Sequence, residues 1–269
     1  MSYVYRIRLR DQSSCSEDLF WFLGAASADE VLVGRQAQPQ NIGVLQSFPS
    51  VVQVEFYLFW STIDWSQECA GIILNNRHIL SAGSCVSGWS YESRFRRIRA
   101  GSSVANTGGI VHYVQDRMLH PHWANNDYSG DVSVIRTMTT IVYTALIQQA
   151  SIASPGSWMP HNLRVSQPGF GRGQQTALTN QEVLTAERSN CARRDGTFSA
   201  AFNATINIIC AIPPTGIARN DNVGSPWIFN GVAVGMCGGV NSMDAYKGLI
   251  AADVAQYTAW IVDIVSNWW

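Results

Sequence analysis

Asn222-Val223-Gly224-Ser225-Pro226-Trp227 and, far upstream, Leu80-Ser81-Ala82-Gly83-Ser84-Cys85 are the two stretches on which the reading of this chain turns. Val223 has no nucleophilic atom. Ser84 has a hydroxyl, which cannot take up a proton near neutral pH as an imidazole does, because its conjugate acid is far too strong. Ser225 offers a second hydroxyl close to Val223, but in a tight turn that displacement aims it elsewhere. Around both stretches, short apolar runs alternate with turn residues, without heptads, repeats or low-complexity linkers, the pattern of a β-sandwich or barrel. Val52-Gln53-Val54-Glu55-Phe56 alternates with period two, and Gly71–Leu74 and Ile79-Leu80 flank an Asn75-Asn76 turn as a hairpin does. Arg97–Ser103 and Gly109–His112 continue the series. Only the end departs from it: Val254, Tyr257, Thr258, Ile261 and Ile264 share one helical face, suited to a terminal helix docked on a barrel.

The bulk numbers agree with one large all-β unit. In 269 residues, 46% hydrophobic and 14% charged, there is ample material for a core. A formal net charge of −1 supplies no field to attract phosphate backbones or anionic lipid, so nucleic acid and membrane are not expected partners. No window approaches the roughly eighteen consecutive apolar residues of a membrane-spanning helix.

Taken in order along the chain, several motifs resemble the chymotrypsin/trypsin family of serine proteases, and in particular insect digestive trypsins. They are Glu68-Cys69-Ala70-Gly71, the Leu80–Cys85 stretch, Arg97–Ser103, His120-Pro121, Asp131–Arg136, Asn222–Trp227 and Tyr257-Thr258-Ala259-Trp260-Ile261. The resemblance runs from about Phe48 to Asn267. It implies an all-β fold of two six-stranded antiparallel β-barrels with a C-terminal helix, and a site in the cleft between the barrels.

The same resemblance implies a degenerate site. Family members read Leu-Thr-Ala-Ala-His-Cys and Asp-Ser-Gly-Gly-Pro, so Ser84 stands at the general base, Val223 at the nucleophile, and Asp131 matches the orienting aspartate. Asp221 replaces the glycine whose N–H serves the oxyanion, bringing a carboxylate toward a developing negative charge. Asn222 replaces the acid that receives the new N-terminal ammonium after activation, and Leu32-Val33-Gly34-Arg35, which resembles the activation sequence, follows Val31 rather than a cleavable Arg or Lys. Ile217 matches the base of the primary specificity pocket, where an apolar floor disfavours a buried Arg or Lys. Gly238 and Gly239 occupy the Ser-Trp positions of the peptide-docking edge. The pocket reading competes with a simple one in which Ile217 fills a collapsed pocket.

Of six cysteines, Cys69 with Cys85 and Cys191 with Cys210 resemble two usual family bridges. The third bridge is absent, since Arg219 and Met243 stand at its positions. Cys237 is open to three readings: a buried thiol, which is preferred, a bond to Cys15, or a bond to another chain. Among the histidines, His78 and His120 fall within scaffold motifs, and His112, His122 and His161 are expected as exposed strand or loop residues. His120-Pro121-His122 has no third ligand spaced to join it, so neither a metal nor a cofactor is expected.

Residues 1–31 read as an N-terminal extension with a candidate export signal and 32–269 as one homology domain. Leu19–Leu23 is a short apolar run, Ala26-Ser27-Ala28 fits a cleavage pattern, and Arg6, Arg8 and Arg10 are basic; Asp11, Glu17 and Asp18 interrupt the pattern. Asn203-Ala204-Thr205 is a glycosylation acceptor if the chain is exported. The expectation is a secreted, monomeric, catalytically inactive homologue acting on a protein partner such as a protease or a protease inhibitor. The alternatives are a weak serine-type endopeptidase with a rearranged site, which requires a serine or threonine within reach of a histidine, a pairing the sequence does not offer near Val223, and a redundant family copy without a retained role, against which a saturable partner would count.

Overall fold

The computed structural model describes residues 42–59, 64–88, 91–123, 130–171, 177–191, 207–213, 222–238 and 248–268. A six-residue helix, α1 (Ile42–Ser47), leads into β1 (Val51–Tyr57), β2 (Trp65–Ile73), β3 (His78–Ser81), β4 (Arg96–Ala100), β5 (Ile110–Leu119) and β6 (Ser133–Thr137). These close into a barrel in the order β1-β2-β3-β6-β5-β4, with β4 returning to β1 through pairs such as Val54↔Ile98. Alternation builds its interior. Val52 and Val54 of β1 join Ile73, Ile79, Ile98, Val114 and Ile135 in one buried cluster. Gln53 and Glu55, on the opposite face of β1, are equally buried but polar. Gln53 bonds to the Val104 carbonyl and accepts from the Asn106 N–H, while Glu55 lies against Arg97 and Arg99.

The second barrel consists of β8 (Arg164–Gly169), β9 (Thr179–Ala186), β10 (Ile208–Ile212), β11 (Pro226–Phe229), β12 (Val232–Cys237) and β13 (Leu249–Asp253). Its order is β11-β8-β9-β10-β13-β12, closed by β11–β12 pairing; the two-residue β7 (Ser151–Ile152) adds in parallel to β12. Its core holds Val165, Val183, Ile209, Trp227, Leu249 and Ala251. The chain ends in α2 (Val254–Asn267), whose start is capped by the Asp253 carboxylate accepting from the Ala255 N–H.

Two six-stranded antiparallel barrels with a C-terminal helix are therefore the architecture, with α1 and β7 as additions. A third apolar cluster seals the seam. It joins Leu45 of α1, Leu80 and Val134 of the first barrel, Met236 and Ala252 of the second, and Tyr257, Ile261 and Val265 of α2. Burying aliphatic or aromatic side chains of this size contributes roughly 1.5–3 kcal/mol each, which makes this seam a principal source of stability. On α2 the buried residues include Val254, Tyr257, Thr258, Ile261 and Val265; Ile264 only flanks the cluster.

One expectation is overturned. His112 is buried at 4% exposure rather than exposed. On β5 the even positions His112 and Val114 turn inward while Tyr113 turns out, and His112 pairs with Ile98 of β4. Its Nδ1 lies 2.8 Å from the Thr139 hydroxyl, and burial holds its pKa below the ordinary value.

Candidate functional site

The first half of the site follows β3. A 3-10 turn, Gly83–Val86, carries Ser84, and the Cys69–Cys85 disulfide ties that turn to β2. The Ser84 N–H donates to Asp131 Oδ1 at 2.7 Å, and the Ser84 hydroxyl donates to Oδ2 at 3.1 Å. Asp131 is 1% exposed. It enters β6 just after Gly130, whose φ of +70° is a left-handed conformation suited to glycine, and whose N–H donates to the Tyr257 hydroxyl of α2 at 2.9 Å. The Trp123 indole closes over Gly83, where an added Cβ would lie 3.3 Å from both the indole and Asp131 Oδ1.

The second half is the turn before β11. The Val223 carbonyl accepts from the Ala70 N–H of β2 at 2.9 Å, and the Gly224 N–H donates to the Cys237 carbonyl of β12 at 2.8 Å. The turn is thus bonded to both barrels. Gly224 has φ +76°, and a Cβ there would lie 2.2 Å from the Ala70 carbonyl oxygen, so only glycine fits. Val223 is 3% exposed and belongs to the buried cluster containing Ala82, Cys69 and Cys85, the neighbours of Ser84. Ser225 is fully buried, with its hydroxyl against Gly169 of β8. Asn222 Oδ1 accepts from the Gly171 N–H at 2.8 Å.

Ser84, Asp131 and Val223 are therefore brought into one neighbourhood by β2, β3, β6 and the disulfide. Gly238 is buried at the end of β12 with its N–H donating to the Ile250 carbonyl at 3.2 Å. Ile217, Asp221, Gly239 and Asn203 lie outside the described residues, as do Arg219, Met243, Cys15 and the whole of 1–41. Cys191 is bonded to Cys210, and Cys237 is a buried thiol. Burial, with a further push from the Asp131 charge, raises that thiol to a pKa of about 12, against a smaller opposing hydrogen bond from Gln167.

His120 is packed edge-on among Tyr257, Trp260 and His122, with ring centroids 4.9–5.1 Å away; burial first, then His122, lowers its pKa. Among the described residues no group of three His, Cys, Asp or Glu is arranged to hold a metal ion. Trp123, Gly130, Tyr257 and Cys237 shape the surroundings of Asp131 without having been singled out for that role. The bond between Gly130 and Tyr257 bridges 127 residues, and no local pattern signals it.

The trypsin family profile matches residues 45–261. The chain is 30% identical to alkaline trypsin C of Manduca sexta over 241 residues, which is 84% of this chain and 91% of that protein. It is 31% identical to trypsin CFT-1 of Choristoneura fumiferana over 213 residues, 75% of this chain and 81% of that one. Among solved structures it is similar in fold to the scabies mite inactivated protease paralogue S-D1, with a TM-score of 0.71 and 19% identity over 83% of this chain and 94% of that one.

Proposed function

This chain belongs to the trypsin family, and we propose that it is a catalytically inactive member that works outside the cell by binding another protein. The observation that supports this reading most directly is Val223. At the turn bonded to both barrels, the residue aligned with the nucleophile is a buried hydrocarbon. Acyl transfer in this family needs a hydroxyl, a base to take its proton and a carboxylate to orient that base. Here Asp131 accepts from Ser84 instead, and a serine hydroxyl donating to a carboxylate is no proton acceptor. Removing such a nucleophile and base from a working enzyme costs about 10⁶ in turnover.

An ordered two-barrel scaffold, kept with its disulfides but without a competent triad, favours a binding role over a rearranged hydrolase. Disulfides form and persist in oxidising compartments, which supports secretion. A protease or a protease inhibitor is the class of partner that the barrel shape suits.

The test is a fluorophosphonate active-site probe applied to the folded wild type beside a working trypsin. The expected result is no labelling above background. Stoichiometric labelling of the wild type would overturn the reading and demand a nucleophile other than Val223.

A further inference from the structure

Large apolar side chains are exposed in an uneven way. Phe59 is 64% exposed, Tyr113 47% and Met138 56%, and all three lie on the outer surface of the first barrel. They belong to one chain of contacts. Phe95 meets Phe59 at 4.5 Å between centroids, Phe59 meets Tyr57 at 4.9 Å, Tyr57 meets Trp65 at 5.4 Å and Trp65 meets Tyr113 at 5.9 Å. Met138 adjoins the end of this row, its N–H donating to the Tyr113 carbonyl. Strand pairing holds the row together, with Tyr57↔Trp65 between β1 and β2 and Arg97↔Tyr113 between β4 and β5. Isolated exposed hydrophobics need no explanation, but a contiguous patch of Phe, Tyr, Trp and Met flanked by Arg has the composition of a protein interface.

The chemistry of the face narrows its partner. Arg97 lies 4.3 Å over Trp65 and is paired with Glu55, which Arg99 shares; Arg94 lies 4.6 Å over Phe95 and is paired with Glu92. Asp64 sits beside Trp65. Three guanidiniums therefore stand against three carboxylates, and the face has no field to select a charged partner. Successive rings along the row are inclined at 72–80°, standing edge to face, while Tyr57 and Phe95, which both meet Phe59, are stacked at 28° with centroids 5.9 Å apart. The inclined rings make ridges and notches for side-chain knobs, and the one near-parallel pair is stacked face to face rather than laid side by side as the flat coplanar platform that a sugar ring stacks on. The barrel beneath is closed, so no free strand edge is available for an added strand. Recognition must run through side chains, and a pre-extended segment that loses little entropy fits aromatic notches best.

We propose that this aromatic face docks an uncharged, extended, proline-rich segment of another protein. The inference deepens the binding role above and rests on it, but probe labelling reads the site at Val223 and is blind to this face, so the two can fail separately.

The experiment pans a random peptide display library on the folded full chain, then titrates the enriched peptides against wild type and a Phe59→Ser/Tyr113→Ser double variant. Enrichment of uncharged proline-bearing sequences is expected, with affinity indifferent to salt and about tenfold or more weaker for the variant. Should the double variant not fold, Tyr113→Arg substitutes for it, changing a half-exposed side chain only. No enrichment, enrichment of acidic sequences, or binding that survives both variants would overturn the proposal. So would chitohexaose occupying the face in competition, or sedimentation showing a second copy of the chain there.

Discussion

Ser84 donates to both carboxylate oxygens of Asp131, through its N–H at 2.7 Å and its hydroxyl at 3.1 Å. A buried carboxylate that accepts charge-assisted bonds in this way organises its surroundings. Ser84→Ala removes the hydroxyl bond and keeps the backbone one, so it is expected to destabilise the fold by about 1.5–3 kcal/mol, read from urea midpoints at constant slope. An unchanged midpoint would mean that the hydroxyl bond contributes nothing net.

Gly224→Ala should be far more costly than its one added carbon suggests. The φ of +76° is strained for alanine, and the new Cβ would lie 2.2 Å from the Ala70 carbonyl and 2.6 Å from the Ser81 hydroxyl. Both barrels are bonded to this turn, so neither neighbour can move freely. A loss of about 3 kcal/mol or more is expected, measured by denaturant unfolding. A loss below about 1 kcal/mol would show that the turn relaxes easily.

Much of this architecture was legible residue by residue. The alternation of Val52 and Val54 is the inner face of β1, and the apolar stripe from Val254 to Ile261 is the docked face of α2. Other parts had no local signal. In α1 only Leu45 is buried, so six residues carry no helical period to read, and β7 is two residues joined in parallel to a strand 81 positions away, Ser151 opposite Val232. His112 departs from the expectation that a titratable side chain sits at the surface, because the strand alternation sends it inward with Val114. At the site, chain order brought Ser84, Asp131 and Val223 into view. What lies behind Asp131, namely Tyr257 bonded to Gly130 and the Cys237 thiol, is tertiary in origin.

His78 gives a pH dependence with a definite sign. Asn75 Oδ1 accepts from the backbone N–H groups of Arg77 and His78, and it can only accept from His78 Nδ1, 3.0 Å away, so Nδ1 carries the proton. Nε2 is buried without a partner, and the ring faces Trp268 at 5.6 Å. Burial, followed by the charges of Arg136 and Arg77, lowers the pKa from 6.5 to about 4. Between those values the unfolded chain binds a proton that the folded one refuses. Stability from this group is thus fully present above pH 6.5 and lost as pH falls toward 4, by roughly 3 kcal/mol at most. His78→Gln should flatten the acid limb of stability against pH, leaving the smaller slopes from His112 and His120, whose pKa values burial also lowers. An unaltered slope would assign the acid sensitivity elsewhere.

Cys237 feels the charge of Asp131 and invites comparison with a substitute nucleophile, yet the physics runs the other way. A thiolate is the reactive form, and burial raises this thiol to about 12, with the Asp131 charge adding to the effect. At pH 8 the folded protein should therefore resist iodoacetamide, and the comparison of wild type with Cys237→Ala removes any contribution from Cys15. Because burial is the larger cause and the Asp131 charge the smaller, Asp131→Asn should leave the thiol unreactive in every molecule that stays folded. The residue should react only after denaturation, with both disulfides intact. Rapid alkylation of the folded wild type would show instead that Cys237 reaches solvent and that the seam between the barrels opens.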